Sequence, residues 1–217
     1  MHTLRLFRYL PFFLLFVYSI ALLKIDITDP QENVRGYFSD IVDGVDYPLP
    51  YSALYGINTT LTVALLVGIS ILFSVCIGTR RLRKYSAKEL IFVWSQFGFF
   101  FYLALDERLK IHEKAGELLG INDAFYLMGL GVAELVILVY AGDLLKQKRD
   151  MQFTILAASM LFGLMVFIDA FAPARLPGRL AVEDLSKTWA IALLYLYSWK
   201  FCMMWLSEIS KEADSGD

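Results

Sequence analysis

The residues of this sequence best suited to chemistry follow an apolar segment. They are the acidic pair Asp106-Glu107 and, five residues later, the pair His112-Glu113. An imidazole beside carboxylates can bind a divalent cation, or can exchange protons with a substrate. Apart from His2 at the N-terminus, His112 is the only histidine of the chain. The sequence therefore places a candidate polar site around His112.

The surrounding residues, 103–122, have the spacing of a helix. On a helix of 3.6 residues per turn, the ionisable side chains of one stripe are Asp106, Lys110, Glu113 and Glu117. His112 falls on the neighbouring apolar stripe, which we expect to face inward. We predict one continuous helix over residues 103–122, ended by Gly120 or Asn122. A plainer interpretation, an ordinary i,i+4 ion pair and a core histidine, is equally open at this point.

Two later segments add acidic side chains that could join this site. Asp169 lies one turn before the end of an apolar segment, where a charged group facing lipid is costly, by about 2.5–3.5 kcal/mol at mid-membrane. It should therefore face other helices and a partner. The next apolar segment opens with Glu183, Asp184 and Lys187. Acidic residues there also simply favour a helix N-terminus.

One imidazole with several carboxylates suits Zn, Mn or Fe, and the carboxylates alone suit Ca or Mg. The predicted metal ligands are Asp106, His112, Glu113 and Asp169. The predicted catalytic residues are Glu183, as a further ligand or a base, and Lys187, which would neutralise part of the charge. If no metal binds, carboxylates this close would repel and hold protons instead.

The elements that must position these residues are membrane helices. Of the 217 residues 58% are hydrophobic, above the usual range of a soluble domain. We predict an all-α integral membrane bundle of six transmembrane helices, forming a single domain. The predicted helices cover residues 10–23, 53–77, 88–106, 124–145, 151–171 and 183–206.

Positive charge predicts the orientation of this bundle. The strongest basic cluster is Arg80, Arg81, Arg83 and Lys84, and it should lie in the cytoplasm. Both termini are then cytoplasmic, residues 24–52 form an extracytoplasmic loop, and residues 207–217 form a cytoplasmic tail. The three acidic segments share the outer side in this topology, so their side chains could meet there.

Other ionisable and thiol groups have simpler interpretations. Glu134 lies in the middle of a predicted span, and we favour a neutral buried acid over a step in a proton path. Cys76 and Cys202 each lie in an apolar run and are predicted to be small buried hydrophobes. The net charge of -2 gives no indication of a nucleic-acid partner.

The motif Asp-Glu-x4-His-Glu at the end of a membrane helix, followed by a late Asp and an acidic pair with Lys, resembles a group of small multi-pass bacterial membrane proteins of unknown function. The resemblance covers about residues 90–199. It implies a location in the bacterial inner (plasma) membrane. It implies no activity, so no catalytic role is transferred from it.

Three functions are compatible with this pattern. The first is a metal-binding protein of the outer membrane face, a hydrolase of a lipid or other amphiphile. The second is a non-enzymatic subunit or assembly factor that contacts other membrane proteins through the aromatic residues of 97–102. The third is an ion or proton transporter that uses Glu134, Asp169 and Lys200.

Overall fold

The protein is described by a computed structural model, which covers residues 2–28, 37, 56–79, 86–173 and 176–214. These residues form seven α-helices and contain no strand. The helices are α1 (His2–Thr28), α2 (Ile57–Gly78), α3 (Ala87–Leu109), α4 (Ile111–Leu119), α5 (Asp123–Tyr140), α6 (Arg149–Phe171) and α7 (Arg179–Asp214), with a short 3-10 turn at Leu144–Lys146. The all-α prediction is confirmed.

Five of these helices are long and apolar enough to cross a bilayer, namely α2, α3, α5, α6 and the Arg179–Lys211 part of α7. Their outer surfaces carry exposed apolar side chains, such as Val132, Leu135 and Val136 of α5, which suit contact with lipid. The first predicted span lies within α1, a helix that is not one of these five.

The predicted loop and tail are partly helical. α1 continues through residues 24–28, and most of the predicted loop 24–52 lies outside the described residues. The last helix was predicted over residues 183–206, but α7 begins at Arg179 and continues to Asp214. Residues 215–217 of the predicted tail are outside the described part of the chain.

The core lies where α2, α3 and α7 meet. α7 packs along α2 and α6, and α3 packs along α2. Phe73, Phe92 and Phe201, one from each of the three core helices, have ring centroids 5.2–6.1 Å apart. Such tilted or edge-on aromatic contacts stabilise a core beyond the area they bury. Cys76 and Cys202 lie side by side in this core as free thiols, in agreement with their predicted apolar role.

The helix predicted over residues 103–122 is wrong, because the chain turns at Lys110. Lys110 adopts φ 53° and ψ 45°, which ends α3 and begins the short helix α4. The Asp106 carboxylate accepts a hydrogen bond from the backbone N–H of His112 at 2.7 Å, so the first turn of α4 is capped from α3. Gly120 ends α4, as one of the two predicted stops, whereas Asn122 caps the start of α5 instead of ending the helix before it.

α5 also ends earlier than predicted, at Tyr140 rather than at residue 145. Gly142 follows, and its lack of a side chain admits the ring of Phe92, since an added Cβ would lie 2.6 Å from a ring carbon. Asp143 then adopts a left-handed conformation. This end of the bundle, where α6 begins beside Lys148, is called the Lys148 end below. The opposite end, with α4 and the start of α7, is called the His112 end.

Three polar pairs connect the antiparallel helices α3 and α5. The Tyr102 and Tyr126 hydroxyls are 2.8 Å apart near the His112 end. Lys88 Nζ is 2.6 Å from Asp143 Oδ2 near the Lys148 end, and the pKa of Asp143 is lowered by its hydrogen bonds from Lys88 and Lys146. The middle pair is Gln96 with Glu134, described next.

Glu134 is buried, and its Oε1 accepts a hydrogen bond from Gln96 Nε2 at 2.6 Å. We expect Glu134→Gln to be tolerated, since it keeps an acceptor for Gln96. Glu134→Leu should lower the free energy of unfolding by about 1–3 kcal/mol, because the fully buried Gln96 amide would lose its partner. Unfolding of both variants in detergent, followed by circular dichroism, measures the difference. Equal stability of the two variants would show that this hydrogen bond is unimportant.

Candidate functional site

His112 is held from two sides by one carboxylate. Asp106, which is 3% exposed, accepts the His112 backbone N–H through Oδ1 and contacts His112 Nδ1 through Oδ2 at 2.9 Å. This contact makes Nδ1 the protonated ring nitrogen of the neutral tautomer, since a carboxylate only accepts. Among the described residues Nε2 has no hydrogen-bond partner, and the side chain remains 17% exposed. The imidazole is therefore oriented with a free, accessible nitrogen.

The acids around His112 decide its protonation. Burial of the ring lowers the pKa of His112, but the hydrogen bond that the ring donates to Asp106 and the charges of Asp106, Glu113 and Glu107 outweigh that effect. The net result is a pKa raised above the ordinary value of 6.5. His112 therefore holds its proton to higher pH than an ordinary histidine does, which suits a group that exchanges protons.

A second contact joins α3 to α7. Lys187 Nζ lies 2.7 Å from Glu107 Oε1 and 3.2 Å from Asp184 Oδ1. The side chains of all three are at most 23% exposed, so their charges are only weakly screened by solvent. The carboxylates that Lys187 faces are Glu107 and Asp184 rather than the predicted metal ligands.

A layer of buried hydroxyl and amide groups lies under this ion pair. Thr62 Oγ1 is 3.1 Å from Glu107 Oε1, and Thr188 donates to Asn58 Oδ1 at 2.9 Å. Asn58 Nδ2 has no partner among the described residues. These side chains come from α2 and α7, and each is at most 1% exposed. The sequence offered one signal for them, a polar run at 58–62 that opens an otherwise apolar helix.

A third contact connects α6 to the start of α7. Arg179 Nη2 lies 3.3 Å from Asp169 Oδ1 and 3.4 Å from Glu183 Oε2. The contact to Glu183 is an ion pair without a hydrogen bond, and Glu183 Oε2 has no hydrogen-bond partner among the described residues. The charges of His112 and Lys187 also act on Asp169. Asp169 therefore lies within electrostatic range of the Asp106–His112 pair and of the Lys187 ion pair.

Asp26 brings α1 to the same end of the bundle. It is 2% exposed, and its Oδ2 accepts a hydrogen bond from the backbone N–H of Ala181 at 2.8 Å. A carboxylate at the first turn of α7 is favourable because it meets unpaired N–H groups and the positive end of the helix dipole. Asp26 falls within the predicted loop 24–52, and its contact with the start of α7 was not predicted.

The structure thus brings most of the predicted residues to one end but gives them different partners. Asp106 is paired with His112, Asp169 with Arg179, and Glu113 with Lys110 at 3.4 Å on the exposed side of α4. The described residues contain no group of three or more His, Cys, Asp or Glu arranged to hold a metal ion. The polar cluster, as we call the contacts around His112, Lys187 and Arg179, is an ion-pair network in which cations separate the carboxylates.

The residues predicted for transport do not meet. Glu134 is paired with Gln96, and Lys200 lies 3.1 Å from Asp150 at the Lys148 end. The aromatic residues predicted as a partner surface are also divided, because Phe100 is buried in the core while Phe101 is 48% exposed. Neither arrangement presents a single path or a single aromatic face.

These features define a class of protein, namely an all-α chain with five candidate membrane spans and an ion-pair network at one end of its helix bundle. Residues 10–201 match the family described as a domain of unknown function, DUF8692, and the chain belongs to that family. No curated protein and no solved structure matches the chain. Since the family has no assigned function, any activity must be argued from the polar cluster itself.

Proposed function

We propose that this protein is a six-span membrane protein whose polar cluster performs general acid–base chemistry on a lipid or other amphiphile. His112 acts as the base in this proposal, and Asp106 orients it. The reaction class is hydrolysis of an ester or amide bond at the membrane boundary. The proposal modifies the predicted metal-dependent hydrolase by assigning the chemistry to the Asp106–His112 pair.

The observation that supports a base is the pair itself. A carboxylate that binds Nδ1–H fixes the tautomer of a histidine and stabilises the imidazolium that forms when Nε2 takes a proton. Here Asp106 also holds the backbone of His112, so the ring has little freedom to turn away. A histidine that only filled space in a core would not need an accessible Nε2.

The proposed steps use this chain's own groups. Nε2 of His112 removes a proton from water as the water oxygen attacks the carbonyl carbon, and then returns it to the leaving group. Lys187 and Arg179 each offset two carboxylates of the cluster, and in this proposal one of them donates a hydrogen bond to the developing oxyanion. Glu183, whose Oε2 lacks a hydrogen bond, is the second proton-exchanging group of the proposal.

Positive charge supports the proposed orientation. In the sequence, a basic cluster follows the end of α2: Arg80, Arg81, Arg83 and Lys84. Lys146, Lys148 and Arg149 lie at the Lys148 end, between α5 and the first turn of α6. The positive-inside rule assigns this end to the cytoplasm and the His112 end to the outer face. With α1 as a sixth span, both termini are cytoplasmic. We extend the proposal to a bacterial inner membrane on the sequence resemblance alone.

A divalent metal remains the alternative within the same cluster. A metal would require His112 Nε2 and at least two carboxylates to turn toward one point. The carboxylates of the cluster now face Arg179, Lys187 or Lys110 instead. Elemental analysis of the purified protein distinguishes the two chemistries. Stoichiometric metal in the wild type that is lost in His112→Ala would favour the metal, whereas absence of metal from an active protein supports the acid–base pair.

The experiment for the proposed hydrolysis compares membranes that contain the wild type, His112→Ala or no added protein. Lipid extracts of the three are analysed by mass spectrometry. We expect one or more amphiphiles to be depleted, and their hydrolysis products to accumulate, with the wild type only. Glu117→Gln serves as a control, since Glu117 is exposed on the same short helix. Identical extracts from wild type and His112→Ala membranes would contradict the proposal.

A further inference from the structure

A large cleft extends from the middle of the bundle to its Lys148 end. Its volume is about 1050 Å³, and it is bordered by α1, α2, α6 and α7. This volume is at the upper end of the range usual for small-molecule sites. Neither Asp106 nor His112 lines it, so a ligand in this cleft does not depend on the proposed function.

The wall of the cleft is apolar along most of its length. Leu15 and Tyr18 of α1, Leu65 of α2, and Trp199 and Met203 of α7 are among the lining residues. On α7 the lining runs from residue 192 to residue 207, which corresponds to about 22 Å at 1.5 Å per residue. That length exceeds the ~15 Å of one hydrocarbon leaflet, half of a ~30 Å core. The cleft is therefore long enough for an extended acyl chain.

Positive charge borders the cleft at its Lys148 end. Lys148 and Lys200 both line it, together with Asp150. Lys200 is shared with Asp150 at 3.1 Å, whereas the Lys148 ammonium has no ion pair or hydrogen bond to another described residue. Lys148 is the residue that precedes the 23-residue helix α6, and its side chain is exposed at this end of the cleft.

We propose that this cleft binds one anionic phospholipid. One acyl chain occupies the apolar wall between α1 and α7, and the phosphate lies against the Lys148 ammonium. The charge complementarity argues for a lipid rather than a helix of another protein, because an apolar helix would leave Lys148 unpaired at the edge of the bilayer. Basic pockets between membrane helices bind anionic headgroups by the same electrostatics.

The test uses purified protein in detergent and two lipids with the same acyl chains, phosphatidylglycerol and phosphatidylcholine. Native mass spectrometry gives the retained lipid, and titration followed by the thermal unfolding midpoint gives the affinity. We expect phosphatidylglycerol to bind about tenfold more tightly than phosphatidylcholine. Lys148→Ala should weaken phosphatidylglycerol binding about fivefold and leave phosphatidylcholine unchanged. Met203→Trp, which narrows the apolar wall, should weaken both lipids.

Lys146→Ala is the matched control, because Lys146 lies two positions away, is paired with Asp143 and does not line the cleft. It should leave both affinities unchanged. Equal binding of the two lipids, an equal effect of Lys146→Ala, or equally tight binding of inorganic phosphate would each overturn the proposal. Should Met203→Trp fail to fold, the comparison of Lys148→Ala with Lys146→Ala decides alone.

Discussion

Replacing Lys187 with methionine should lower the free energy of unfolding by about 3 kcal/mol. The ammonium of Lys187 is 2.7 Å from Glu107 and 3.2 Å from Asp184, and its removal leaves two little-exposed carboxylates without this partner. Breaking such a pair from one side typically costs about 3–5 kcal/mol, most of it the penalty of an uncompensated charge. Partial exposure places the expected value at the low end. Denaturant unfolding in detergent, followed by circular dichroism, measures it.

A second substitution separates charge from packing. In the Lys187→Met background, Glu107→Gln should recover part of the lost stability, because it removes one of the stranded charges. Lys146→Met provides the control, since the Lys146–Asp143 pair is largely exposed and should matter little. If Lys187→Met is as stable as the wild type, the ion pair does not hold α3 to α7. The same conclusion follows if the losses in free energy of unfolding caused by the two substitutions simply add in the double variant.

The second large effect is expected on activity. Asp106→Asn should lower the rate of the proposed hydrolysis by about 10²–10⁴-fold, since an amide no longer favours the imidazolium or the correct tautomer. Asparagine still offers an oxygen to the His112 backbone N–H, so the turn at Lys110 should persist. The measurement is the initial rate of product formation with the amphiphile identified in the lipid extracts.

The pH profile distinguishes catalysis from folding. A base must be neutral, so the wild-type rate should rise with pH through a His112 pKa above 6.5. Asp106→Asn removes the carboxylate whose hydrogen bond and charge raise the pKa of His112. The rising limb of the pH–rate profile should therefore move to lower pH. A purely structural role for Asp106 would lower the amount of folded protein without moving the limb. Glu117→Gln should reproduce the wild-type profile.

Composition and periodicity predicted the helical class well but not the detail of the polar end. Runs of apolar residues indicate a membrane helix because lipid satisfies no backbone hydrogen bonds, and α6 matches its prediction within two residues. The break at Lys110 was missed because no glycine or proline marks it. It depends on the Asp106 side chain bonding to a backbone group six residues later, a tertiary choice that spacing alone does not indicate.

The sequence also did not predict which side chains pair with each other within the polar cluster. Acidic residues on three segments predicted a common site, and Asp106, Asp169 and Glu183 do lie at one end of the bundle. Which cation each carboxylate faces depends on the rotation of α3, α6 and α7 about their axes. Arg179 was missed for that reason: its predicted place was a short loop, whereas it is the first residue of α7 and faces both Asp169 and Glu183.

The central claim, that Asp106 orients and charges His112, is tested most directly by nitrogen NMR of the two histidine rings. Protein labelled with ¹⁵N-histidine is titrated in detergent, and His2→Gln identifies the His112 signals. We expect protonated Nδ1, free Nε2 and a pKa above 6.5 for the wild type, and a lower pKa for Asp106→Asn. The same tautomer and the same pKa in both proteins would contradict the account.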